Sequence, residues 1–96
     1  MAIKVVLNLN VNETKVQQYK QFLLKNVPNV RNFEGCKMVD VYFNANNNEM
    51  IIDEIWESKQ SHQKYIEFIS SNGIMGELVS FLSIKPEIKY FDILDI

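Results

Sequence analysis

The stretch CKMVDVYFNANNNEMIIDEIW (Cys36–Trp56) decides how this chain folds. Cys36–Phe43 is rich in Val and aromatic residues, and Glu49–Trp56 runs back as a second strand with apolar residues on both faces. Between them Asn44–Asn48 reads Asn-Ala-Asn-Asn-Asn. Asn tolerates the left-handed backbone that tight turns require, so the stretch predicts two antiparallel strands joined by a short turn. In the second strand Met50, Ile52 and Trp56 fall on one face, Ile51 and Ile55 on the other.

The rest of the chain builds outward from this hairpin. Residues 3–11 alternate, with Ile3, Val5, Leu7, Leu9 and Val11 on one face and Lys4, Val6, Asn8 and Asn10 on the other. Asn12 is placed to cap a helix over 13–27, in which Val16, Tyr19, Leu23 and Val27 recur at helical spacing and which Pro28 stops. After the hairpin, Ser58 caps a helix over 59–71. Asn72-Gly73 breaks it, and Ile74, Met75, Leu78, Phe81 and Leu82 define a second short helix ended by Pro86. Glu87–Ile96 reads as a last strand. The order is β-α-β-β-α-β, an α+β ferredoxin-like arrangement with a four-stranded antiparallel sheet. Residues 1–96 form a single domain.

In this topology the helices cover one face of the sheet. Apolar residues on both faces of the first, third and last strands therefore predict a homodimer through the uncovered face. A chain of 96 residues buries only about 60–68% of its unfolded surface, so its own core is marginal.

Composition excludes several functions. Hydrophobic residues make up 47% and charged residues 23%, which argues against disorder. The net charge is −2, and the basic residues are scattered lysines with a single arginine, Arg31; no nucleic-acid footprint exists. No apolar run spans a membrane, and Lys4 and Asn8 interrupt Met1–Leu9, which is not a secretory signal. One cysteine forms no internal disulfide, and the expected compartment is cytoplasmic.

No cofactor motif survives either. The glycines at 35, 73 and 76 make no phosphate loop, one His and one Cys make no zinc site, and no acidic pair has calcium-loop spacing. Nothing points to flavin or nicotinamide, so catalysis here needs a reactive substrate and little machinery. The residues able to serve chemistry are His62, Tyr65, Trp56 and Asn8, each with a plain structural alternative. His62 titrates near neutrality and borders the apolar stripe of its helix. Tyr65 lies in that stripe and offers a hydroxyl. Trp56 ends a strand just before the helix cap. Asn8 is a polar residue in mid-strand, where Asn is depleted. Cys36 and Met38, Met50 and Met75 read as packing residues, and Asp53, Glu54 and Glu57 as hairpin charges paired with Lys.

Glu34-Gly35-Cys36, Glu54-x-Trp56-x-Ser58, Tyr65 nine positions after the Trp, and Lys85-Pro86-Glu87-Ile88-Lys89-Tyr90-Phe91 together resemble the antibiotic biosynthesis monooxygenase family, and within it the quinol monooxygenase branch. The resemblance implies a dimeric α+β barrel with a pocket in each subunit between helices and sheet. It also implies oxidation of a small phenolic or quinol substrate by O2 without metal, flavin or haem. Tyr65 and His62 are then the catalytic candidates, and Trp56 and Asn8 the substrate-binding ones. Many members carry His where this chain has Tyr65; the only His here stands three residues earlier. Haem-degrading relatives use an Asn on the first strand, a Trp and a haem-ligating His. Asn8 and Trp56 match in type and place, but Tyr65 and Ile66 occupy the ligand position, which disfavours haem. The alternative within the same superfamily is a non-catalytic small-ligand-binding or stress-responsive dimeric barrel.

Overall fold

The computed structural model describes residues 1–96. Four strands, β1 (Ile3–Asn10), β2 (Cys36–Asn44), β3 (Glu49–Trp56) and β4 (Glu87–Asp92), form one antiparallel sheet in the order β2-β3-β1-β4. Three helices, α1 (Val16–Arg31), α2 (Lys59–Ser71) and α3 (Ile74–Ser80), accompany it. This is the α+β ferredoxin-like arrangement that the alternation and helical spacings predict. No helix is long and apolar enough to cross a membrane.

The hairpin forms as its sequence requires. Asn44 and Asn47 accept the backbone N–H groups of Asn46 and Glu49 on their side-chain oxygens, and Asn48 takes φ +57°. Val5, Leu7, Leu9, Val39, Met50, Ile52 and Trp56 then share the helix-facing side of the sheet and are buried there against Tyr19, Phe22, Leu23, Val27 and Val30 of α1 and Leu78 of α3.

Three boundaries differ from the sequence reading. Pro28 does not stop the first helix, which begins with a 3-10 turn at Glu13–Lys15 and continues as α1 through Arg31. Pro28 lies on the exposed side, while Val27 and Val30 are buried, so packing of the inner side outweighs the one lost backbone bond. Arg31 fastens the last turn by donating from Nη2 to the Val39 carbonyl at 2.8 Å. At the other end of the chain, β4 stops at Asp92 instead of running to Ile96. Its final pair is Ile3↔Asp92, and β1 begins at Ile3, so residues 93–96 have no strand to pair with. Likewise α3 ends at Ser80, before Pro86. There the Val11↔Leu82 bridge and the Ser83 N–H to Asn10 carbonyl bond draw the chain back to the end of β1.

The far side of the sheet carries no helix. Lys4 and Asp53 form an ion pair of 2.8 Å on it, and Tyr42, Ile51 and Phe91 are exposed there among Val6, Asn8 and Ile55.

Candidate active site

The connection that leads from β3 into α2 builds the polar part of the molecule's interior. Ser58 caps α2 by accepting the Ser61 N–H at 3.1 Å, and Glu57 N–H bonds the Gly35 carbonyl at 2.7 Å. Gly35 must be glycine: its φ is +92°, and a Cβ would stand 2.6 Å from the Ser61 Cβ. This close approach of the 33–36 loop presses the start of α2 onto the sheet. His62 and Tyr65, one turn apart, consequently turn inward over Trp56. The Tyr65 ring lies 5.4 Å from that of Trp56 and edge-on to Phe33 at 5.2 Å. The His62 ring stands edge-on to both Trp56 and Tyr90.

Between α1, α2, α3 and the sheet lies a small cavity of about 40 Å³, walled mainly by Leu, Val, Ile and Phe side chains. Its polar lining is confined to Asn26, Glu54, His62 and Tyr65. Asn26 is engaged, donating to the Phe22 carbonyl at 2.8 Å. Glu54, only 4% exposed, accepts the Trp56 Nε1–H on Oε1 at 2.7 Å. His62 Nε2 stands 3.7 Å from the same oxygen, beyond hydrogen-bond reach. His62 Nδ1 is paired with the Tyr90 hydroxyl at 2.8 Å.

Burial decides the charges. It pushes the Glu54 carboxyl up to about 7, against the opposing pull of the Trp56 hydrogen bond and with a smaller push from Asp53. Burial lowers His62 to about 4, so the imidazole is neutral at physiological pH. The Tyr65 hydroxyl is pushed far up, first by burial and then by Glu54 and Cys36; it stays protonated and is a donor. Between about 4 and about 7 the proton of this pair therefore resides on the carboxyl, the reverse of the order in water.

The structure brings three of the four residues singled out in the sequence together and leaves one apart. His62 and Tyr65 line the cavity. Trp56, fully buried, is not part of the lining itself and packs against its polar members Glu54, His62 and Tyr65. Asn8 is on the opposite, helix-free face of the sheet, opposite Ile51 and Glu87, because its parity in β1 is that of Lys4 and Val6. Two residues were missed. Asp53 does pair with a lysine, but Glu54 is no hairpin surface charge; it points into the core. Its signal was the alternation itself, since Glu54 is in phase with Met50, Ile52 and Trp56. Tyr90 is likewise in phase with Ile88 on β4 and reaches His62 across the sheet edge. Nowhere do three His, Cys, Asp or Glu side chains converge as metal ligands would.

The sequence model of the antibiotic biosynthesis monooxygenase family matches residues 2–66. No curated protein sequence matches the chain. Among solved structures, a conserved protein from Methanosarcina mazei is similar with a TM-score of 0.85 at 24% identity, over 96% of this chain and 92% of that one. Rv0793 from Mycobacterium tuberculosis gives a TM-score of 0.86 at 14% identity, over 100% and 98%. A mutant of SnoaB, a cofactor-independent oxygenase from Streptomyces nogalater, gives 0.82 at 8% identity, over 99% and 95%. At these identities the likenesses establish the fold.

Proposed function

The chain belongs to the antibiotic biosynthesis monooxygenase family, and we propose that it is a cofactor-independent monooxygenase oxidising a small phenolic or quinol substrate with O2. The observation that carries this reading is the apolar cavity whose polar groups gather at Glu54, His62 and Tyr65. SnoaB, described as cofactor-independent, supplies a precedent on the same fold.

The chemistry fits such a place. Loss of the hydroxyl proton turns a phenol into an electron-rich phenolate, which passes one electron to O2. The aryloxyl radical and superoxide then combine at a ring carbon bearing hydrogen. Loss of that hydrogen with cleavage of the O–O bond yields the quinone and water, so one O2 is consumed per substrate. Apolar walls favour O2 and the ring, and the Tyr65 hydroxyl is suited to donate a hydrogen bond to the phenolate oxygen.

Size sets a condition. A cavity of about 40 Å³ admits a few water molecules, whereas one of about 150 Å³ takes a benzene ring. Ring entry therefore requires a wall to move. α3 is the candidate: seven residues long, it contributes Ile74, Met75 and Leu78 to the lining and follows Gly73 at φ +88°. The same tightness favours a second reading, a non-catalytic barrel that binds a smaller ligand. Oxygen uptake separates the two. With hydroquinones and naphthols under air, the enzyme consumes one O2 per substrate; binding without uptake above the protein-free rate supports the module.

The helix-free sheet face supports a homodimer as the working unit, since Tyr42, Ile51 and Phe91 leave apolar surface there. Light scattering is expected to give about twice the 11.3 kDa chain mass; a stable monomer at micromolar concentration contradicts it.

A further inference from the structure

We infer that Glu54, and not His62, exchanges protons with the substrate in this cavity; the inference rests on the monooxygenase reading above. The geometry points there by elimination among the polar groups of the lining. Asn26 is engaged with the Phe22 carbonyl. His62 has Nδ1 held by the Tyr90 hydroxyl and Nε2 turned toward Glu54, so neither ring nitrogen is directed at a ligand. Tyr65 is a donor. The Glu54 carboxyl is anchored through Oε1 by the Trp56 indole at 2.7 Å, which leaves Oε2 to meet a substrate hydroxyl.

The surroundings keep this carboxyl poised near neutrality. From α2 it faces His62 and Tyr65, from β4 Tyr90, and from β2 Cys36, all neutral in the buried site. Asp53 on its own strand points to the other face, paired with Lys4. The cations nearby are engaged elsewhere: Arg31 of α1 on the Val39 carbonyl, Lys59 over the Tyr90 ring at 5.0 Å. A midpoint of about 7 suits a group that must both take and return a proton.

The proton balance closes on one carboxyl. Ionised Glu54 takes the phenol proton. The peroxide anion formed at the ring carbon recovers that proton from Glu54. The regenerated carboxylate then removes the ring hydrogen as the O–O bond breaks, and the departing hydroxide takes this proton to become water. Quinone and water leave, and Glu54 is again ionised. Trp56, whose indole N–H bonds Oε1, is the positioning residue that holds the carboxyl.

Two readouts test this on the full chain. Glu54→Gln is expected to lower kcat by about 100-fold or more and to abolish the rise of kcat/KM with pH near 7, whereas His62→Gln keeps that rise. Glu54→Asp, which restores a carboxyl, recovers part of the rate. Independently of activity, 4-nitrophenol is added at the Glu54 midpoint of about 7, where much of the phenol still carries its proton and much of the carboxyl is free to accept it. The infrared band of a protonated carboxyl should grow in wild type and be absent in Glu54→Gln. Wild-type turnover with an unchanged rate and pH profile in Glu54→Gln overturns the inference, as does a carboxyl band that ignores 4-nitrophenol. Proton transfer to Glu54 without turnover of any phenol leaves the inference standing and removes the monooxygenase reading.

Discussion

The two ends of the helix–sheet interior bury similar side chains and treat their polar atoms differently. At the end where Asn12 N–H bonds the Phe81 carbonyl, Tyr19 stacks on Phe22 and Phe81 at 5.9 and 5.3 Å, and its hydroxyl is buried without a partner. At the end where Ile3 pairs with Trp56, the buried polar groups stand in two hydrogen-bonded pairs, indole N–H with Glu54 carboxyl and His62 imidazole with Tyr90 hydroxyl, with His62 Nε2 3.7 Å from the carboxyl. An isolated hydroxyl in a core is tolerated as a small loss of stability. A buried carboxyl beside an imidazole is a far larger cost unless its partners are arranged for it. The Trp56 end is organised around holding Glu54 in place; the Tyr19 end only packs.

The largest way to break this contrast is Trp56→Ala. It removes a fully buried ring, about 3–5 kcal/mol, and leaves the Glu54 carboxyl without its donor, roughly 1–3 kcal/mol more. Against a total stability of about 5–15 kcal/mol, chemical denaturation should find this variant largely unfolded. Trp56→Phe keeps the ring. It should fold while raising the Glu54 midpoint above about 7, because the lost hydrogen bond had been lowering it.

Next in size is the pH dependence of stability. Unfolded, Glu54 and His62 titrate near 4.5 and 6.5; folded, near 7 and 4. Glu54 is raised, so its contribution is full below 4.5 and lost as pH climbs through 7. His62 is lowered, so its contribution is full above 6.5 and lost as pH falls through 4. Between 4.5 and 6.5 the pair holds one proton in either state, on His62 when unfolded and on Glu54 when folded, and the two slopes cancel. Glu54→Gln should unmask the His62 arm: relative to wild type, stability rises with pH over this window by about 1.4 kcal/mol per unit. His62→Gln should show the opposite slope. Parallel curves for all three proteins in denaturant titrations would contradict the assignment of the proton to the carboxyl.

At the other end, Tyr19→Phe deletes an unpartnered buried hydroxyl and nothing else. It should leave the fold intact and stabilise it by about 1 kcal/mol, seen as a raised Tm. A loss of stability would mean that the Tyr19 end also depends on its polar group. The smallest effect is expected at Lys4–Asp53, a partly exposed pair on the helix-free face worth about 0.2–1 kcal/mol to a lone chain. A larger loss in Lys4→Ala, accompanied by dissociation in light scattering, would place that pair inside the proposed dimer interface.

Much of this was legible in the sequence, and the failures have physical causes. The alternations and the Asn-rich turn gave every strand, and Ser58 and Gly73 marked helix ends, because these are local effects with fixed geometry. Pro28 misled because buried Val27 and Val30 decide where α1 ends, a tertiary effect. Ile93–Ile96 misled because apolar residues extend a strand only where a neighbour remains to pair with. In the site, the spacing of Trp56, His62 and Tyr65 placed them together. Asn8 was set apart by its own parity, which the alternation of β1 already showed. Glu54 was legible by the same rule and overlooked because a carboxylate in phase with Ile52 and Trp56 reads as surface until its partner, the Trp56 indole, is in view.

The claim that this interior is built for oxygenation is tested most directly by isotope. Turnover of a naphthol under 18O2, followed by mass spectrometry of the product, should place one 18O atom in the quinone in wild type, with the yield greatly reduced in Glu54→Gln. A quinone formed at the protein-free rate, or one formed rapidly but carrying no 18O, would contradict the account.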